Sequence, residues 1–472
     1  MMRLSTALMT IGFLFSFGCA GVMPENREAA FAYAVEQAQA DRPEVAARAA
    51  WHYLQGASPE DPRYDRAQRL LARASEALGL RYASAQWYLD IAQGQREPEL
   101  LPEAILGLKA IFESEAYDED ALVAGYLASS EITGLPEHLQ SFVNYQQGLH
   151  DARSLEAEWS RDHFAKIPPE SPYAHRARYV RTIEAIAARK LDEGIEQLKA
   201  LEEEKSVPTD LLSDVRRSLA RLLASRSEFD EAIKRYEKLR AEAPGDPELL
   251  LEMAWVEYDR GDVRRSLGLL LALDAPIYKA LIAPDRFLLE ALALRRLCQF
   301  GPARQAAVRL RAKHGDALDD LYAGVPPMQS KALRAAARER TSVRTMSAFL
   351  DSLIVERKRV ETLALGEPLS KHLKSVYGGG LREARRQLES ALINEVDALS
   401  SELLAAEEGV NLILHELGVG LLRGRKRPPG PAVAPAPVVD TSGHRTFLHF
   451  EGEFWTDELD DLIVVAEDRC ID

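Results

Sequence analysis

The chain has 472 residues, with 59 Lys and Arg against 74 Asp and Glu and a formal net charge of −15. Nucleic-acid affinity is dominated by Lys and Arg at phosphates, so this charge argues against that class of partner. The length exceeds what one small core serves. A composition rich in Ala, Leu, Glu and Arg, with little Val-Ile-Thr alternation, predicts helices throughout, stacked in pairs rather than gathered in one large globule.

Met1-Met2-Arg3 leads into an uncharged, mostly apolar run from Leu4 to Gly18. One basic residue ahead of a short apolar stretch is the layout of a secretory signal peptide, here residues 1–18. The stretch is shorter than the roughly 20 residues a spanning helix needs. It ends Ser16-Phe17-Gly18-Cys19-Ala20. Gly18-Cys19 resembles the end of the bacterial lipobox, whose Cys sulfur takes a diacylglyceryl group and becomes the mature N-terminus. Ser16 and Phe17 depart from that pattern, which usually has Leu and a small residue there, and the alternative is an ordinary cleaved signal with an incidental Cys19. The resemblance implies lipidation at Cys19. Ala20 in place of Asp implies sorting to the outer membrane, with the mature chain lipid-anchored on its periplasmic face. Acyl chains at about 0.8 kcal/mol per buried CH₂ anchor firmly when several act together. Cys298 and Cys470 read as a buried apolar thiol and a tail thiol, while a bridge between them in an oxidising periplasm stays open.

Residues 19–326 are organised by a repeat. Ala220 and Ala232 lie 12 apart, Tyr236 follows by four, and Pro244-Gly245-Asp246 punctuates the end. Adding 34 to Ala220 gives Ala254, then Ser266 and Leu270. The same ruler fits Gly148, Ser160 and Phe164; then Thr182, Gly194 and Leu198; then Ala291, Ala303 and Ala307; and, nearer the N-terminus, Ala72, Ser84 and Tyr88. Small residues at that spacing let two antiparallel helices cross closely, with a large apolar side chain one turn on. The pattern resembles the tetratricopeptide (TPR) unit, and Phe229-Asp230-Glu231-Ala232-Ile233-Lys234-Arg235-Tyr236 looks like the start of its second helix. The fold class expected is all-α, a TPR-like α-solenoid. Residues 97–134 are helical in pattern but take no clear register.

Residues 327–424 change character. Ser330 to Leu365 reads as one long helix, broken at Gly366-Glu367-Pro368; Gly378-Gly379-Gly380 reads as a turn, and Leu381 to Leu422 as a second long helix. Val396, Leu399, Leu403, Ala406, Val410, Ile413 and Leu417 step by three and four, a coiled-coil seam expected to close as a hairpin on the first helix, or else as a homodimer. Arg423-Gly424-Arg425-Lys426-Arg427 is a basic run that caps a helix end or touches anionic lipid. Residues 425–442 form a Pro/Ala-rich linker, expected to be extended and solvated. The tail, 443–472, is acidic and aromatic; Phe447, Phe450, Phe454, Trp455, Leu459 and Leu462 are costly to leave in water and should dock. Within it Thr456 is expected to cap a helix with Leu459, Leu462, Ile463 and Ala466 as its stripe.

The chain carries no nucleophile elbow, P-loop or dinucleotide fingerprint, and no zinc-helix His pair or metal-spaced Cys pair, so no enzyme, cofactor, metal or small-molecule substrate is expected. TPR geometry places the binding groove on the first helix of each unit. There it gives Tyr145 and Arg153, Arg176 and Tyr179, Arg217 and Arg221, Trp255 and Tyr258, Arg295 and Arg296. Aromatics and Arg dominate binding hot spots, so the expectation is a basic, aromatic groove for an acidic, aromatic segment, the chain's own tail being one candidate.

The terminal Glu453-Phe454-Trp455-Thr456-Asp457-Glu458-Leu459, with the lipid Cys, repeat array, long helices and Pro/Ala linker, resembles the TPR-repeat outer-membrane lipoproteins associated with gliding motility in myxobacteria-type organisms. That resemblance implies a scaffold bound to other envelope proteins in a trans-envelope machine. The alternative is a TPR lipoprotein that assembles outer-membrane or secretion complexes, similar to that of the β-barrel insertion complex, a family about half this length.

Overall fold

The computed structural model describes residues 23–114, 127, 132–243, 246–278, 283–422, 424, 426–428, 430, 432–436 and 462–471. Among these there are α-helices and short 3₁₀ turns and no strand. In chain order the helices are α1 (Arg27–Gln39), α2 (Pro43–Leu54), α3 (Tyr64–Ala77), α4 (Arg81–Gly94), α5 (Leu101–Phe112), α6 (Glu137–Arg153), α7 (Ala157–Ala165), α8 (Ala174–Ala187) and α9 (Leu191–Glu203). They continue with α10 (Thr209–Ser225), α11 (Phe229–Glu242), α12 (Pro247–Arg260), α13 (Val263–Ala272), α14 (Asp285–Arg296), α15 (Phe300–Tyr322), α16 (Lys331–Ala337), α17 (Thr341–Thr362) and α18 (Glu367–Leu422). No described helix is long and apolar enough to cross a membrane. The fold is all-α, an α-solenoid of TPR-like helix pairs. The signal segment with Cys19, and Phe447, Phe450, Phe454, Trp455, Thr456 and Leu459, lie outside the described residues.

The chain divides into two compact units, one of residues 1–104 with 356–377 and one of residues 105–355 with 378–472. In the first, α1 pairs with α2 and α3 with α4. His372 lies between Trp51 and Trp87, with ring centroids 4.2 and 5.4 Å away. The Glu356 carboxylate accepts from the Tyr82 backbone N–H at 3.0 Å and the Tyr377 hydroxyl at 2.6 Å.

In the second unit α6 pairs with α7, α8 with α9, α10 with α11, α12 with α13, and α14 with α15. The residues 12 apart sit at the crossings: Ser160, Thr182, Ala220, Ala232, Ala254, Ser266, Ala291 and Ala303 are all buried. A methyl on Gly148 would come within 2.6 Å of the Phe164 ring, and one on Gly194 within 2.5 Å of Ile186, so these glycines set how closely their helices approach. Ser266 also donates to the Ala254 carbonyl at 2.8 Å, tying the two crossing positions directly. The same rule extends to a pair it had not been applied to: Ala34, Ala46 and Ala50 are fully buried on α1 and α2 in the first unit.

Each pair turns through a single left-handed residue after its first helix. Asp41, Gly79, Leu155, Arg189, Ser227, Gly261 and Cys298 all have positive φ. Only two of these seven are glycines, so most turns carry backbone strain.

After the repeats the structure departs from expectation in three places. The helix expected over 330–365 breaks into α16 and α17, with Glu339 and Arg340 N–H bonded to the carbonyls of Ala336 and Ala337 at 3.0 and 3.1 Å. A straight helix would place Val343 about 120° around the axis from Ala337; the turn lets both be buried. The triple glycine is not a turn, since α18 runs unbroken through Gly378-Gly379-Gly380. Buried Tyr377 on one side and Leu381 on the other hold the helix there against poor local propensity. The seam from Val396 to Leu417 is buried as expected, and Leu333 and Ala337 of α16 bring part of the expected first helix to it, but Phe287 and Leu294 of α14 and Ala303, Leu310 and Leu318 of α15 pack there as well. The last repeat therefore shares the seam with α16.

Candidate peptide-binding surface

The expected groove residues lie on the first helix of each pair, and their partners are now visible. The Tyr145 ring stacks on Tyr173 at 5.3 Å between centroids. Arg153 is exposed near the end of α6. Arg176 pairs with Asp210, and the Tyr179 hydroxyl lies 2.9 Å from Ser218 Oγ, with burial pushing the phenol's pKa up. Arg217 and Arg221 converge on the Glu252 carboxylate at 2.7 and 2.6 Å, and the Tyr236 hydroxyl donates to it at 3.1 Å. Burial raises the Glu252 pKa, but the hydrogen bonds from Arg221 and Arg217 outweigh it and hold the carboxyl below the ordinary range. Trp255 meets Tyr258 edge-on at 6.3 Å. Arg295 pairs with Glu416 of α18, and the Arg296 guanidinium, 3% exposed as a residue, lies over the Tyr258 ring at 5.5 Å.

Arg176, Arg217 and Arg221 thus meet carboxylates of the next helix pair. Arg27–Asp61, Arg69–Glu103, Arg176–Asp210 and Arg226–Asp192 are each separated by 34 residues, and Arg217–Glu252 by 35. The repeat is written in charge as well as in small residues, a signal available in the sequence as a base with an acid one repeat away. The arginines hold neighbouring pairs in register, so the groove is far less basic than its arginine count suggests.

A second surface of the second unit, along the α12–α13 and α14–α15 turns and the start of α13, is covered by the chain's own residues 462–471. Residues 462–471 carry no helix, so the expected stripe of Leu462, Ile463 and Ala466 does not form a helical face. They run extended across these turns instead. Val464 N–H donates to the Arg264 carbonyl at 3.2 Å, and Arg469 N–H to the Leu297 carbonyl at 2.9 Å. Arg265 Nη1 reaches the Leu462 carbonyl at 3.2 Å, and Gln299 Nε2 the Glu467 carbonyl at 2.6 Å. Val464 and Ala466 face the core of α13–α15, and Leu462 packs on the cluster that also takes Trp255. Cys470 is disulfide-bonded to Cys298, with Cα atoms 5.0 Å apart, so the two are not the separate thiols the sequence suggested; the extended tail brings Cys470 to the α14–α15 turn and forms the bridge that had stayed open.

The Pro/Ala segment is extended as expected, but its described part is not simply solvated. Ala434 N–H donates to the Gly261 carbonyl at 3.0 Å, and Val433 packs beside Val464. An extended chain leaves its own backbone groups unpaired, and the turn offers them partners. Arg427 of the basic run pairs with Asp468 at 2.8 Å and donates to the Arg296 carbonyl at 3.2 Å. Arg264, buried to 4% exposure, joins the two segments: Nε donates to the Ala466 carbonyl and Nη1 to the Ala434 carbonyl, each at 2.9 Å. No described group of three or more His, Cys, Asp or Glu is arranged to hold a metal ion.

No protein-family model matches the chain, and no curated protein matches it. Among solved structures it is similar to a tetratricopeptide repeat protein from Parabacteroides merdae, 12% identical, covering 74% of this chain and 98% of that one at a TM-score of 0.27. The fold assignment rests on the helix pairing described above and not on that overlap.

Proposed function

We propose that this chain is a non-enzymatic scaffold that binds other proteins, lipid-anchored through Cys19 at the periplasmic face of the outer membrane. The observation that carries the binding role is that the helix pairs already hold an extended polypeptide, residues 462–471, by backbone hydrogen bonds and apolar contacts. The Cys298–Cys470 bridge supports an exported location, because disulfides persist in oxidising compartments. The partners are other envelope proteins, within a trans-envelope machine of the gliding-motility kind; assembly of outer-membrane or secretion complexes is the second reading.

The test is affinity purification of the full chain from detergent-solubilised membranes, compared with Cys19→Ser. Co-purifying envelope proteins and membrane association lost in Cys19→Ser are expected; a chain recovered alone, or a Cys19→Ser variant that stays on the membrane, contradicts the proposal. Deletion separates the two machines. Lost motility with normal barrel-protein levels fits the first, and general barrel depletion fits the second.

A further inference from the structure

Building on the scaffold reading, we propose that the surface around Arg264, Gly268 and Gln299 is a recognition site for an extended peptide, with residues 462–471 as its tethered occupant. The Cys298–Cys470 bridge latches that occupant against a partner's segment of the same chemistry: extended, with apolar side chains at every second position.

Three observations converge. Arg264 is 4% exposed and its Nε donates to the Ala466 carbonyl, so a guanidinium is committed to main chain of the docked segment. Gly268 is a notch, because a Cβ there would stand 1.8 Å from the Leu462 carbonyl oxygen. Only main chain fits so close. Leu462, Val464 and Ala466 are half-buried while Ile463 and Val465 are exposed, the alternation of an extended strand. Recognition of this kind reads backbone and alternate apolar side chains, as when a peptide is added to an edge, and tolerates many sequences.

The tether gives the chain's own segment a high effective concentration, and the disulfide retains it for as long as the bridge stays oxidised. A dithiol reductant opens it. One thiolate attacks the sulfur of Cys470, Cys298 leaves as a thiol, and the reductant's second thiol resolves the mixed disulfide, freeing Cys470 as a thiol and leaving the reductant oxidised.

The test uses the full chain carrying Cys470→Ser and a synthetic peptide of residues 462–471 whose cysteine is held as a mixed disulfide with thionitrobenzoate. Cys298 attacks the peptide disulfide, and the thionitrobenzoate anion released is read by absorbance. Reaction on the order of tenfold faster than with a scrambled peptide is expected, with the adduct on Cys298 by mass spectrometry. Gly268→Leu in the same chain, its fold checked by circular dichroism, should abolish the preference. Leu462→Asp with Val464→Asp, which weakens the tethered competitor, should raise the rate. Equal rates for the two peptides, or a preference that survives Gly268→Leu, overturn the site. Envelope partners recovered without any peptide preference sink the latch and leave the scaffold standing; a peptide preference without partners does the reverse.

Discussion

At Glu252 one carboxylate serves Arg217, Arg221 and the Tyr236 hydroxyl, so its loss takes an acceptor from three donors, although Arg217 keeps Asp246 and Glu248. Glu252→Gln should cost about 1–3 kcal/mol by urea unfolding. Because its folded pKa lies below the unfolded value, the contribution is complete above the ordinary glutamate range and fades as pH falls through the folded value. Wild type should therefore lose stability more steeply than Glu252→Gln as pH falls below 4.5; parallel profiles would remove the carboxylate from the account. His314 behaves differently. Burial, with Lys313 and Arg286 nearby, pushes it down to about 4, and its Nε2 has no hydrogen-bond partner among the described residues. The unfolded imidazole titrates near 6.5, so its stabilising contribution is complete above that pH and is lost as pH falls toward 4. His314→Leu should flatten the stability profile over that window by roughly 3 kcal/mol, read as denaturation midpoints at stepped pH.

Among the elements, the helix pairs were the legible part, because crossing helices demand small side chains and the demand recurs at Ala220, Ala254 and Ala291. What misled was local propensity. Gly378-Gly379-Gly380 has the composition of a turn, yet helix contacts from Tyr377 and Leu381 decide the matter. That makes a prediction: Gly379→Ala, with only the far end of Arg382 near the new methyl, should stabilise the chain by about 1 kcal/mol. If the glycines instead marked a turn, the change would be neutral or harmful. The inter-helix turns argue the same way. Leu155 holds φ +62° with its side chain almost wholly in solvent, so it bears left-handed strain and packs little. Leu155→Gly should raise the thermal midpoint, gaining about 1 kcal/mol, whereas Leu155→Ala should not.

For the whole molecule, the docked tail was the least legible feature, because backbone recognition leaves little side-chain periodicity to read. The aromatic residues drew attention to the tail, but the described contact runs through Val464, Ala466 and main-chain groups. Two features of the sequence could have pointed to it and were not read so: Gly268 in the middle of an apolar helix and a cysteine near the end of the chain. The bridge also has a thermodynamic consequence. It closes a loop with a sequence separation of 172 residues, and limiting the unfolded chain over such a loop stabilises the fold by up to about 5 kcal/mol. That figure is a ceiling, since a reduced tail can leave the surface without unfolding the helix pairs beneath. Both routes expose the same backbone first. In Cys470→Ser, hydrogen exchange should quicken at Val464 and Arg469, whose N–H groups bond across the turns, before it quickens within α12 and α13. The denaturation midpoint should fall by an amount that dithiothreitol reproduces in the wild type. Unchanged exchange at those two amides after reduction would mean that non-covalent contacts alone hold the segment in place.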